Sequence, residues 1–376
     1  TYRNDNYFFI FFQYLNNEIL WINCIMCLPM KLVFFVILFF SLFANADDTP
    51  ISHSPIGIMG DHNHKEGEIM ISLRHSSMSM KGILQNGEVI NNLDILNLPN
   101  PYSSMLNAPK KLSVIPIEMN MKMIMLGGMF AYSDKLTLMS MLTFKDIEMV
   151  SESYRGMMNR DYLGSFKISN NDLSSLSIVG LFSLVNTEQK YSNILVGINE
   201  SFGDNARQGK VLTPMNTQMN MLMPYAMQIS DKSTNLNLGY TQKFFFSNYS
   251  VGYQLKTSVN LNKHEWAYGD KYEANFWMQK QNNNNLSWSL RFHHLKEESI
   301  NGRNLKISAP VQTANPLNYG GNISSIGIGL NSIFNLSDGD HADRLALEVI
   351  CPINQNKKGL QMKSKEKIIF GYQRSF

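Results

Sequence analysis

The sequence predicts an all-β protein, an antiparallel transmembrane β-barrel of about twelve strands behind a cleaved N-terminal signal. Three observations predict it. Apolar and polar residues alternate with a period of two in windows of about ten residues, as in a strand with one face in lipid and the other in a polar interior. The connections between the windows alternate between short and long. The last window ends on an aromatic residue, Phe376.

From the N terminus, residues 1–29 read as a leader upstream of the true start, so Cys24 and Cys27 are not read as a redox or metal pair. Met30-Lys31 then opens onto the apolar run Leu32 to Phe43, which stops at Ala44-Asn45-Ala46. A basic start, a short apolar core and a small-residue cleavage site make 30–46 a secretory signal peptide. The run is too short to cross a bilayer comfortably as a helix. Residues 47–66 follow as a short periplasmic segment, and 67–376 form the barrel. Removing 1–46 takes two basic residues, Arg3 and Lys31, and two acidic ones, Asp5 and Glu18, so the net charge stays at +3. That is too small to argue for nucleic acid. Cys351 alone remains in the mature chain, so no disulfide framework is expected and stability must come from hydrogen bonding and burial.

The strand windows lie near 67–81, 116–132, 136–149, 172–185, 193–202, 233–246, 249–261, 272–281, 286–296, 322–336, 343–351 and 365–376. An even number is what a bacterial single-chain barrel requires. The connections 82–115, 150–171, 203–232 and 297–321 are long, and 262–271 and 352–364 are medium. Between them fall short ones at 133–135, 186–192, 247–248, 282–285 and 337–342. Such barrels carry short turns on the periplasmic side and longer loops outside, with both termini on the short side. A soluble sandwich or propeller has no reason to sort its loops in this way.

Facing follows from the alternation, because the lipid side must be apolar. Leu255, Leu290, Phe292 and Leu238 fall on the outer face of their windows, and their polar neighbours fall inside. Arg74, Lys243, Lys256, Glu273, Arg291 and Glu348 are the candidate charged lining of the lumen, by default a hydrated and mutually compensating interior.

Methionine is distributed unusually. In "MNMKMIMLGGMF" (Met119 to Phe130) the even positions Ile124, Leu126 and Phe130 are lipid-facing, which turns Met119, Met121, Met123, Met125 and Met129 inward. The same test on neighbouring windows turns Met139 and Met141 inward, and likewise Met70, Met78 and Met80. Ten methionines are thus expected on one inner wall of three consecutive strands. Two explanations stay open. Methionine is flexible and polarizable and suits promiscuous apolar contact, whether with a small hydrophobic molecule or with an inward-folded plug. It is also a soft ligand for copper, and His62, His64 and the loop cluster Met219, Met221 and Met223 could add ligands. Along one strand, same-face neighbours are about 7 Å apart, too far for both to bind one ion, so only cross-strand pairs could do so. Zinc spacings, phosphate loops and nucleophile elbows are lacking, so no enzyme is expected.

The last segment, "KIIFGYQRSF", places Phe370 and Tyr372 on one face and ends at Phe376. It resembles the signal by which bacterial outer-membrane barrels are recognised by the barrel-assembly machinery. Longer stretches carry a family likeness: Pro55 to Gly82, with Met-Gly-Asp-His at 59–62, then Met119 to Leu142, Met223 to Gln228, Tyr268 to Trp277 and Ala342 to Gln361. Together they resemble a family of transporter-like bacterial outer-membrane proteins, catalogued as the phenol meta-pathway degradation family. The resemblance covers nearly all of the mature chain and implies an outer-membrane channel for aromatic or other small hydrophobic molecules. It implies no catalytic residues. Copper handling and a structural or adhesive barrel displaying its loops stand as alternative functions, and outer-membrane lipid is the expected surround.

Overall fold

A strand crossing lipid cannot leave its backbone N–H and C=O groups unpaired, so membrane-spanning strands must close on themselves. The computed structural model describes residues 49–376 apart from 106–107, 157–158, 263 and 335–341. The leader and secretion signal expected over 1–46 lie outside the described residues. Twelve strands close into a barrel. They are β1 (Ile69–Gln85), β2 (Val114–Ser133), β3 (Leu136–Tyr154), β4 (Tyr162–Asn186), β5 (Lys190–Ser201) and β6 (Thr234–Phe245). The second half comprises β7 (Tyr249–Asn260), β8 (Lys271–Gln281), β9 (Leu286–Glu297), β10 (Gly321–Phe334), β11 (Asp343–Lys357) and β12 (Leu360–Ser375). Each pairs antiparallel with the next, and β12 returns to β1 with Met70 opposite Ser375. Backbone hydrogen bonds of 3.1 and 2.7 Å between Ile69 and Phe376 finish the seam. No described helix is long and apolar enough to cross a membrane.

Every predicted window overlaps one of these strands. The strands overrun their windows on the long-loop side: β4 begins at Tyr162 where alternation begins at 172, and β3 runs on to Tyr154. A transmembrane strand needs only about 9–11 residues. The excess stands beyond the bilayer, where lipid no longer imposes one apolar face and the period fades. Two expected loops shrink in consequence. The connection placed at 150–171 runs only between Tyr154 and Tyr162. The medium connection placed at 352–364 is strand except for a tight turn at Lys358 and Gly359, the glycine in left-handed backbone at φ 62°.

The burial alternation gives the facing of each strand. On β2, Ile124, Leu126 and Phe130 keep 46%, 52% and 44% of their surface exposed, whereas Met119 and Met129 keep 4% and 6%. Exposed apolar residues recur around the barrel, among them Leu73, Leu138, Ile178, Leu255 and Phe370. An apolar belt of this extent on a closed barrel is a lipid-contacting surface, and it places the chain in a bacterial outer membrane.

Replacing Leu126 near the middle of this belt by arginine should cost about 2–4 kcal/mol of barrel stability. The check is urea unfolding in lipid vesicles; an unchanged midpoint for Leu126→Arg would mean that the face does not contact lipid.

Candidate functional site

The segment expected as a periplasmic lead-in over 47–66 instead runs through the barrel interior over 50–64. It has no regular secondary structure, so its backbone groups need partners from elsewhere. The inward side chains of the strands supply them. Ser287 donates to the Pro50 carbonyl (2.9 Å), Ser250 to Ile51 (3.2 Å), Lys243 to Ser52 (2.6 Å), Gln279 to His53 (2.8 Å) and Arg344 to Ser54 (2.6 Å). Arg74 donates to Ile56 and Ile58, Gln254 to Met59 and Asn193 to Gly60. These donors come from seven strands distributed around the barrel. The segment is a plug near the short-turn end, beside the β2–β3 turn where Glu66 N–H donates to Asp134.

Two glycines let the plug approach the wall. A Cβ on Gly57 would strike the Arg291 guanidinium and the Glu348 carboxylate, and Gly60 sits at φ +70° against Leu181 and Leu195. Four of the predicted charged residues therefore fasten the plug. Arg291 and Glu348 form a buried pair at 2.8 Å, and Gly57 N–H donates to that carboxylate at 2.9 Å. Lys243 lies 3.5 Å from Asp61 of the plug and 4.9 Å from the Tyr191 ring centre. Burial works against ionisation of Asp61, but adjacent His62 and Lys243 outweigh it and hold the carboxyl well below the usual carboxylate range. Burial pushes the His62 imidazole below its ordinary value despite the opposing Asp61. The other two predicted charges, Lys256 and Glu273, lie higher in the lumen, and Glu273 keeps 28% of its side chain exposed.

The register aligns the inward methionines in rows across strands. Met70, Met129 and Met139 are direct cross-strand partners, as are Met80, Met119 and Met149. The lower row packs with Val179, Leu181 and Leu195 beneath the plug. The upper row packs with Ile147, Ile168, Met223, Met227 and Ile229, so the connection after β5 folds inward onto it. Lys145 donates to the Ile229 carbonyl at 3.1 Å and holds this loop down. Met121 is half-buried against the upper row, and Met78, Met123 and Met125 are half-buried between the two packed ends. Met141, inward on β3, is buried at 6% exposure.

Above the loop lies a cavity of about 700 Å³. Its floor is the upper inner face of β3 and β4, with Met149, Phe166 and Ile168, and its sides are the outer hairpin Gln208–Leu222 and residues 308–311. The lining is mostly apolar, with Val114, Leu212, Val311 and the loop methionines Met105, Met215, Met219 and Met221, alongside Ser151, Arg155, Thr213 and Ser308. The loop residues behind it form their own core, in which Tyr225 and Trp266 meet edge to face at 4.9 Å. Burial, reinforced by Asp231 and Glu297, pushes the Tyr268 phenol up, so it stays protonated and donates to the Tyr225 carbonyl at 2.7 Å.

The structure separates the proposed metal residues. His62 and His64 belong to the plug at the short-turn end, with His64 Nδ1 3.2 Å from Glu68. Met219 and Met221 stand on the outer hairpin and Met223 is buried just below it. Among the described residues no group of three or more His, Cys, Asp or Glu is placed to hold a metal ion. Phe370 and Phe376 face outward at 45% and 48% exposure, and Tyr372 on the same face donates to Asp343 at 2.5 Å. Sequence reasoning missed Phe166, Ile168 and residues 308–311 of the pocket. Phe166 and Ile168 do alternate with polar neighbours, but they precede the window assigned to their strand.

No protein-family model matches the chain, and no curated protein matches it. Solved structures resemble it in fold. An outer membrane channel from Pseudomonas putida F1 shares 10% identity, with 85% of this chain and 99% of that one covered and a TM-score of 0.53. The Pseudomonas putida toluene transporter TodX shares 11% over 89% of this chain and 99% of its own, with a TM-score of 0.41. The beta domain of the Bordetella autotransporter BrkA shares 8% over 83% and 100%, with a TM-score of 0.43.

Asp61→Asn should loosen the plug, because it removes the anion facing Lys243 in a desolvated site, at a cost of about 3 kcal/mol. Single-channel recordings should then show frequent openings, and recordings like those of the parent chain would refute the assignment. A carboxyl whose pKa is depressed by folding contributes stability above its ordinary range and loses it only as pH falls through the lowered value. Acidification to about pH 5 should therefore leave this anchor in place.

Proposed function

We propose that this chain is an outer-membrane channel that admits small hydrophobic molecules, capturing them at the outer pocket and passing them along the inward methionines. The observation that carries the reading is the apolar cavity of about 700 Å³ at the mouth of the lumen, a volume in the range of small-molecule sites. Its floor residue Met149 belongs to the upper methionine row, so a molecule leaving the pocket meets Met119, then Met121, Met123 and Met125. Methionine suits such a path because its thioether reshapes around different apolar bodies without a fixed geometry. The loop over Ile229 and the plug over 50–64 lie across that path, which makes them its gates.

No catalysis is proposed: the lining is mainly thioether, aliphatic and aromatic, and its polar members Ser151, Arg155, Thr213 and Ser308 include no histidine or carboxylate to act as a base. The outward Phe370, Tyr372 and terminal Phe376 are proposed to be read by the barrel-assembly machinery. The Pseudomonas putida F1 protein of similar fold is itself an outer membrane channel. That suits this reading, which rests on the pocket.

Ala309→Trp fills the pocket from its side. Uptake of radiolabelled toluene or naphthalene by cells expressing the variant should fall about tenfold, the equivalent of 1.4 kcal/mol of lost apolar contact. The barrel should still migrate as a folded, heat-modifiable species. Uptake equal to that of the parent chain would sink the proposal.

A further inference from the structure

Midway up the lumen the charges do not balance. Glu273 on β8 lies directly across from Lys256 on β7, and its Oε2 is 3.7 Å from His293 Nε2. Lys271 and Lys367 also act on it electrostatically. Lys271 is paired with Glu297 at 3.4 Å, and Arg291 and Glu348 neutralise each other. One carboxylate is therefore left among Lys256, Lys367 and His293. Among the described residues neither lysine has a hydrogen bond or close ion pair of its own. Glu273 and His293 point inward yet keep 28% and 21% of their side chains exposed, so this level of the lumen is wet.

The surplus cation adjoins the methionines. Lys367 on β12 is the direct partner of Met78 on β1, and Met78 is the direct partner of Met121 on β2. A row running Lys367, Met78, Met121 thus joins an ammonium group to two half-buried thioethers, with Met123 and Met125 next along the strand. An uncharged molecule would use only the thioethers and leave the lysines facing water. An anion without an apolar body would use only the lysines.

Resting on the channel reading above, we infer that this level of the lumen binds amphipathic anions, with the apolar body on Met78, Met121 and Met123 and a carboxylate or sulfonate between Lys367 and Lys256. Charge-assisted hydrogen bonds from an ammonium are among the stronger polar contacts.

The test is equilibrium dialysis of the full chain, folded in detergent, against naphthalene-2-sulfonate, neutral 2-naphthol and methanesulfonate, with detergent-only blanks. Naphthalene-2-sulfonate should bind at least about tenfold more tightly than either other probe, the scale of one charge-assisted hydrogen bond. Lys367→Gln and Lys256→Gln should each remove most of that advantage and leave 2-naphthol binding unchanged, while Lys367→Arg retains it. Heat-modifiability on gels verifies that each variant is folded. Naphthol binding as tightly as the sulfonate, or sulfonate binding that ignores both lysine substitutions, overturns the inference and leaves the channel reading intact. Failure of both aromatic probes to bind overturns the two together.

Discussion

The interior of this barrel depends on how an irregular stretch of backbone is accommodated in a space with little water. Residues 50–60 expose a succession of carbonyls that no helix or sheet satisfies, and each unpaired one would cost roughly 1–3 kcal/mol. The wall answers with serine, glutamine, asparagine, lysine and arginine from seven strands. Much of the inner face is thus polar because a chain segment lies against it. The same constraint explains Gly57 and Gly60, where any side chain would displace the Arg291–Glu348 pair or the leucines beside the plug.

The methionine rows follow from the same geometry. Both ends of the wall are used for packing, the lower row under the plug and the upper row under the loop carrying Met223, Met227 and Ile229. Rigid branched residues would require one exact complement from these irregular segments. Methionine has enough freedom to fill gaps against chain with no repeating shape. Met123 and Met125, half-buried, lie between the two packed ends.

Charge divides the lumen into levels. Lys243, Asp61, Arg291 and Glu348 pair in holding the plug, and Arg74 and Arg344 are spent on its carbonyls. Glu273 and His293 stay partly exposed above it, where Lys256 and Lys367 leave the charges unbalanced. Above these the mouth is apolar. A molecule entering from outside would meet an apolar site, then thioethers bordered by ammonium groups, and only then the plug.

What the sequence by itself determined was the wall. Twelve windows and their outward residues were legible because lipid enforces a period of two on every spanning strand, a rule readable within ten residues. Where strands rise beyond the bilayer that rule lapses, so the outer reach of β3 and β4 was illegible, and with it Phe166 and Ile168 of the pocket. The plug was hidden for a different reason. Lys243 reaches Ser52 across 191 positions and Arg344 reaches Ser54 across 290. No local pattern announces such pairs, and only closure of the barrel brings them together. The tertiary structure alone decided that the lumen is occupied, which charges fasten the occupant, and where an apolar space remains.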